Sequence, residues 1–351
     1  MKILVLPGDG IGPEITESTV AVLDAVNKRF GLGIEYVYED IGFVSLDKYG
    51  TTLRGEVLEL ARTLDGILLG PISHLDYPPR DKGGVNVSSA FRGDLDLYSN
   101  VRPARTRPGL GRGATGMDLV IMRECTEGFY PDRNMHSGSS EFMPVPGVVL
   151  SMRKLTEHCC ERIARRSFEM AMKRRRKVTA IHKANNFIMS DGMFLEVTRT
   201  VAADFPDVEL DELIIDAAAA WLVREPARFD VICATNFYGD ILSDLASELS
   251  GSLGLAGSIN IGDDLAAAQA QHGSAPDIAG QDKANPTSLI LSAAMLLDWM
   301  GDRHGDEKLR EAAGLIQTSI DAALADPQTR TSDLGGNLGT RGFTRTVLEK
   351  I

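Results

Sequence analysis

Residues 229–247 read FDVICATNFYGDILSDLAS. The apolar run FDVICAT has the length and β-branched content of a buried strand, a polar turn follows, and a helix is expected to begin near Gly239. On that helix Asp240 and Asp244 are four residues apart, so both carboxylates leave one face. Carboxylates held this close repel each other unless a cation lies between them. Hard oxygen donors without sulfur or imidazole suit Mg²⁺ or Mn²⁺ rather than zinc. Acids near a helix N-terminus are also favoured by the macrodipole alone, so the pair takes its meaning from the rest of the chain.

The chain has 351 residues, 43% of them hydrophobic, enough for one large or two medium domains with real cores. Its 49 acidic and 37 basic residues leave a net charge of −12, which argues against nucleic acid or an anionic membrane as partner. The one basic run, KRRRK at 173–177, closes an amphipathic helical stretch and precedes the strand VTAIHK; it reads as a solvated, dipole-complementing helix end. MKILVLPGDG enters a strand directly and lacks signal-peptide shape, and no apolar run reaches membrane-span length. Cys125, Cys159, Cys160 and Cys233 offer neither a disulfide framework nor a C-x-x-C ligand pair. The expectation is a reduced, cytoplasmic protein.

Short β-branched runs alternate with helical patterns: KILVLP, a helix from about Pro13 to Arg29, IEYVYE, DGILLG, MDLVIMRE, KVTAIHK, LDELIID and FDVICAT. That alternation predicts an α/β fold with substantial parallel sheet. Gly8-Asp9-Gly10-Ile11-Gly12 follows the first strand, but G-x-G-x-G is not the G-x-G-x-x-G spacing of a Rossmann site, so a classical Rossmann fold is rejected. Residues 131–150, PDRNMHSGSSEFMPVPGVVL, read as an arm-like insertion packing on something else, such as a second subunit.

Several segments together resemble the metal-dependent β-decarboxylating dehydrogenases of the isocitrate/isopropylmalate dehydrogenase family. They are LPGDGIGPE (6–14), SAFRGDLDLYSNVRP (89–103), MRECTEGFY (122–130), HKAN (182–185), SDG (190–192), NFYGDILSDLAS (236–247) and HGSAPDIAGQDKANP (272–286). The resemblance implies a two-domain fold with a mixed parallel/antiparallel sheet. Residues 1–98 and 251–351 would form a discontinuous cofactor-side domain, and 99–250 the domain of dimerisation, metal and substrate.

It also implies roles, each with a chemical reason. Arg92, Arg102 and Arg123 match the family's substrate arginines, whose guanidinium forks bind carboxylates in bidentate geometry. Asp240 and Asp244, with Asp216 resembling a ligand lent by a partner subunit, would hold Mg²⁺ or Mn²⁺ against the substrate's hydroxyl and carboxylate. Lys183 and Tyr130 match the acid/base pair, Lys183 reaching a neighbour's site, so the implied active unit is a homodimer. His272, Gly273, Ser274, Ala275, Asp277, Ile278 and Asn285 would line the adenosine end of the cofactor. NADP-preferring relatives tend to carry Lys-Tyr where Asp277-Ile278 stands; a carboxylate there accepts ribose hydroxyls and repels a 2′-phosphate, so NAD is expected.

For the substrate, the helix Asn86-Val-Ser88-Ser-Ala-Phe-Arg92 lacks the leucines that resemble an isopropyl pocket, and Asn186 stands where isopropylmalate enzymes usually offer valine. Thr126-Glu127-Gly128 resembles the isocitrate, homoisocitrate and tartrate branch. Three polar side chains left unpaired around an isopropyl group would cost roughly 1–3 kcal/mol each. A small hydroxy acid with a polar distal group (isocitrate, homoisocitrate or tartrate/D-malate) is therefore favoured over 3-isopropylmalate. Gln269, where relatives usually carry Glu, is expected to alter the cofactor pocket. A non-catalytic regulatory subunit is the reading from another class, and the full set of arginines, aspartates, Tyr130 and Lys183 argues against it.

Overall fold

The strand Lys2–Leu6 buries every residue but Lys2, as the interior of a parallel sheet covered on both faces requires. It belongs to the first of two units seen in the computed structural model, which describes residues 1–351 apart from 112–114, 131 and 137. That unit comprises Met1–Leu95, Arg107–Leu110 and Gly251–Ile351. Lys2–Leu6 pairs in parallel with Glu35–Tyr38 on one side and Gly66–Leu69 on the other. Ala266–Gln269 continues the parallel pairing, and Ile259–Ile261 closes it antiparallel. The helix Gly12–Phe30, with proline in its first turn and a left-handed Gly31 cap, follows the first strand. It packs with the helices Thr287–His304, Glu307–Ala325 and Thr340–Leu348.

The GDGIG turn is built on backbone contact rather than on a dinucleotide loop. Gly10 has φ +56° and a Cβ there would overlap the Ser274 carbonyl oxygen, which already accepts a hydrogen bond from Ile11 N at 2.8 Å.

The second unit comprises Asp96–Thr106 and Gly111–Ser250. Ser99–Arg105 runs antiparallel to Asp118–Glu124, after which Val231–Ala234, Lys177–His182 and Glu209–Ile214 are added in parallel. The sheet is therefore mixed, as expected, and its core includes Leu119, Ile121, Phe229, Ile232, Leu242 and Ala246. Four buried free cysteines lie in this unit, and burial pushes the Cys233 thiol up to about 12. Within 131–150 the described residues include a hairpin of Glu141–Val145 and Val148–Ser151, exposed at every position.

Two local expectations are corrected. The helix bearing the aspartates spans Asn236–Ser250 and so starts before Gly239, because the turn that was expected to be irregular closes helically with Gly239 N on Thr235 O at 2.9 Å. The KRRRK run does follow the helix Glu157–Met172, with Lys173 as its C-cap and Lys173, Arg175 and Arg176 exposed, but no basic residue lies in the last turn and not every arginine is a solvated charge. Arg176 turns the chain at φ +59°, and Arg174 reaches Asp230 at 2.8 Å and Asp118 at 2.9 Å. Asp230 is 1% exposed, so this pair ties the entry of two strands. Asp230→Ala should lower the unfolding free energy by about 1.5–3 kcal/mol, since it removes a buried charge-assisted contact while Asp118 still pairs Arg174. Denaturant titration at unchanged m-value checks this, and a loss as small as that of a surface pair would show the contact to be solvent-screened.

Candidate active site

In the second unit the aspartate helix lies close against the strand Asp118–Glu124. A Cβ on Gly239 would stand 2.7 Å from the Cβ of Arg123, so only glycine permits this approach. The contact places Asp240 on Arg123: Arg123 Nη1 donates to Asp240 Oδ1, and Nη2 donates to Tyr130 Oη at 3.1 Å. Tyr130 in turn donates to Asp240 Oδ2 at 2.6 Å. Arg102 Nη1 donates to Ser243 Oγ at 2.6 Å and lies 3.4 Å from Asp240 and 3.3 Å from Asp244. Both arginines are nearly inaccessible, whereas the Asp240 and Asp244 side chains are 36% and 55% exposed. Buried cations thus lie behind carboxylates that reach the surface. The donor chemistry fits a magnesium-type ion, with oxygen only and no thiolate or imidazole.

Asp216 does not join that pair. Among the described residues no group of three or more His, Cys, Asp or Glu side chains is disposed to hold a metal. Asp216 Oδ1 instead accepts from Lys183 Nζ at 2.5 Å, and this hydrogen bond holds the Asp216 carboxyl below the ordinary carboxylate range. The Lys183 backbone is anchored from below, its N–H donating at 2.6 Å to Asp191, a fully buried carboxylate that also pairs with Arg153. Asn186 closes a turn on the Lys183 carbonyl and faces solvent.

The remaining residues belong to the first unit. Asn86 caps the helix Val87–Asp94, its side-chain oxygen accepting from Ser89 N at 3.1 Å. Ser88 and Arg92 are one turn apart on that helix and share a face. Ser88 Oγ accepts from Gln269 Nε2 at 2.7 Å, so Gln269 bears on the helix that carries Arg92, which composition did not suggest. Arg92 Nε donates to Asn260 Oδ1 at 3.0 Å.

The HGSAPD loop is locked to the first turn of the chain through Ser274, whose hydroxyl meets that of Ser73 at 2.7 Å. Ala275 holds φ +37°, rare for a residue with a Cβ. His272 Nδ1 lies 2.9 Å from Gly273 O, while Nε2 is buried with no partner among the described residues. Burial also lowers the His272 pKa, favouring a neutral ring. An orphaned imidazole nitrogen suits an edge-on hydrogen bond to a heterocyclic base. Asp277 and Ile278 form a single 3-10 turn with Asp277 exposed, and Gln281 Nε2 donates to the Asp277 carbonyl at 2.7 Å. The Asn285 amide is engaged by Asp333 and by Thr287 N, both at 3.0 Å.

Sequence reading missed Ser243, Asn100, Asn236 and Asn260, all of which touch the arginines. Ser243, three residues after Asp240, was readable as a face-mate. Asn100, two residues before Arg102, shares its strand face and was readable in the same way, whereas Asn236 and Asn260 carry no such signal.

The isocitrate/isopropylmalate dehydrogenase model matches residues 2–351. The 3-isopropylmalate dehydrogenase of Archaeoglobus fulgidus is 40% identical, over 99% of this chain and 98% of that protein. The isocitrate/homoisocitrate dehydrogenase of Thermus thermophilus is also 40% identical, over 100% and 98%. The crystal structure of isocitrate dehydrogenase from Methylococcus capsulatus superposes with a TM-score of 0.87 at 36% identity, over 99% of this chain and 98% of that one. Among the described residues no helix is long and apolar enough to cross a membrane. The chain thus belongs to the isocitrate/isopropylmalate dehydrogenase family, whose members are decarboxylating dehydrogenases.

Proposed function

We propose that this chain oxidises and decarboxylates a 3-substituted malate with NAD⁺ and Mg²⁺ or Mn²⁺, and that the substituent is polar, as in isocitrate or homoisocitrate. The observation that carries the polar preference is the Ser88–Arg92 face. Gln269 donates to Ser88 Oγ at 2.7 Å, which leaves the Ser88 proton to be donated to a substrate carboxylate beside the Arg92 guanidinium. A cofactor-side role for the first unit is supported by the unpartnered His272 Nε2 and the exposed Asp277 carboxylate.

Arg102 and Arg123 bind the malate carboxylates. Asp240 and Asp244, with Asp216 of a second copy, would hold the divalent cation, which when bound supplies Lewis-acid polarisation of the hydroxyl and its neighbouring carboxylate. Lys183 takes up the hydroxyl proton and Tyr130 returns a proton to carbon, its hydroxyl held ready between Asp240 and Arg123. That division of labour requires Lys183 and Asp216 to serve a neighbouring subunit. Association of two copies is supported by the apolar exposure of the hairpin, where Met143 and Val149 are 59% and 56% exposed, and of the aspartate helix, where Ile241 is 50% exposed.

A second reading, 3-isopropylmalate dehydrogenase, has its own support. Asn86 is spent as a helix cap and Ser88 already has a partner, so the cost of unpaired polar groups that counted against an isopropyl substituent is reduced. Several of the most similar relatives carry that name.

NADH production with NAD⁺ and Mn²⁺ on isocitrate, homoisocitrate, D-malate, tartrate and 3-isopropylmalate, each with an EDTA control, separates the readings. EDTA-sensitive turnover of isocitrate or homoisocitrate is expected, with Ser88→Ala lowering kcat/KM about tenfold or more as a lost hydrogen bond to charge would. Turnover of 3-isopropylmalate alone would instead establish the second reading. Lys183→Ala should keep NAD⁺ binding yet reduce kcat by about 10²–10⁴; an unchanged kcat removes Lys183 from the chemistry. Asp277→Lys with Ile278→Tyr should move the kcat/KM ratio toward NADP⁺, and a ratio that stays put assigns cofactor choice to other residues.

A further inference from the structure

The three arginines share a feature that their roles do not require. Each donates its Nε–H to the side-chain oxygen of a buried asparagine. Arg92 meets Asn260 at 3.0 Å, Arg102 meets Asn100 at 2.6 Å and Arg123 meets Asn236 at 2.9 Å. Asn100 and Asn236 are 0% exposed and Asn260 is 2% exposed. Each pair lies within one unit.

The amides are themselves held. Asn236 Nδ2 donates to the Glu127 carbonyl at 2.6 Å, and Asn260 Nδ2 points at the Ala267 carbonyl at 3.5 Å. With the nitrogen committed to a carbonyl, the oxygen must face the arginine. Asn100 stands two residues before Arg102 on one strand and directly opposite Arg123 on the next, so all three share a sheet face.

Arginine presents two bidentate edges, one through Nε and one through the two terminal nitrogens. A neutral oxygen on Nε fixes the guanidinium plane and aims the terminal edge, and it adds no charge to the carboxylates Asp240 and Asp244 that already face Arg102 and Arg123. A further carboxylate in the same place would fix the plane as well but would add negative charge against which an anionic substrate must bind. We propose that Asn100, Asn236 and Asn260 are positioning residues that orient the three substrate arginines without adding a further negative charge to them. This rests on the reading of those arginines as carboxylate binders.

The test compares Asn→Ala and Asn→Asp at each position in the purified full chain. The readouts are the KM and calorimetric Kd of whichever panel hydroxy acid the wild-type chain turns over with Mn²⁺, the KM for NAD⁺, and thermal unfolding. Each Asn→Asp variant should raise the hydroxy-acid KM and Kd by about ten- to hundredfold, the worth of a charge-assisted contact, and each Asn→Ala variant by less. KM for NAD⁺ should be unchanged throughout. Packing asparagines would lower thermal stability in both variants while leaving KM untouched, and that result, or equal effects of Ala and Asp, overturns the proposal. If Asn236→Asp fails to fold, Asn100→Asp and Asn260→Asp, on different strands of different units, carry the same test. Arg102→Ala and Arg123→Ala serve as references. If they raise KM while the asparagine variants do not, only the positioning role falls; if they too leave KM unchanged, the reading of the arginines falls with it.

Discussion

The contact on which the site depends is the closure of the aspartate helix onto Arg123. Arg123 is 2% exposed, and a guanidinium that far from water is costly unless paired. Its partner, Asp240, arrives only because Gly239 lets the helix backbone approach the strand at that residue. The first turn formed by Asn236 to Gly239 therefore does two jobs: it supplies the amide that holds Arg123 by Nε, and the gap through which Asp240 reaches the terminal nitrogen. Ser243, one turn on, catches Arg102 in the same way.

This arrangement explains how the site can hold so much charge. Cations lie beneath, carboxylates lie at the surface, and neutral amides fill the positions where a further carboxylate would add to the negative charge. The same logic separates Lys183 from the cluster. Its ion-pair partner is Asp216, and its backbone is fastened through Asp191 to Arg153, so lysine and aspartate form a presented pair on a rigid footing.

Specificity is more finely balanced. A polar residue near a substrate disfavours an apolar group only if burial leaves it unpaired. Asn86 and Ser88 have partners in the folded chain, so residue type alone overstated the penalty. What survives is the direction of the remaining Ser88 proton, a consequence of which atom of Gln269 faces it. Glutamate at that position would accept where glutamine donates, so the departure at Gln269 matters to the helix bearing Arg92.

Much of this chain was legible from its residues. Alternating β-branched and helical runs announced the α/β fold, because periodicity reports burial locally. The i, i+4 spacing put Asp240 and Asp244 on one face, whereas the left-handed Ala275 in HGSAPD was not foreseen. The helix start at Asn236 was missed because the stretch after the strand read as a polar turn, and the pairing of Arg174 in KRRRK was missed because its partners Asp118 and Asp230 are distant in sequence. Two of the asparagine partners were invisible for the same reason: Asn260 is 168 positions from Arg92, and Asn236 is 113 from Arg123. Sequence by itself determined which elements form and which side chains could carry charge, since both depend on neighbours a turn or two away. Only the tertiary structure decided which charges are paired, which are held by neutral amides and which stay exposed, because those depend on atoms brought together by sheet register and helix packing.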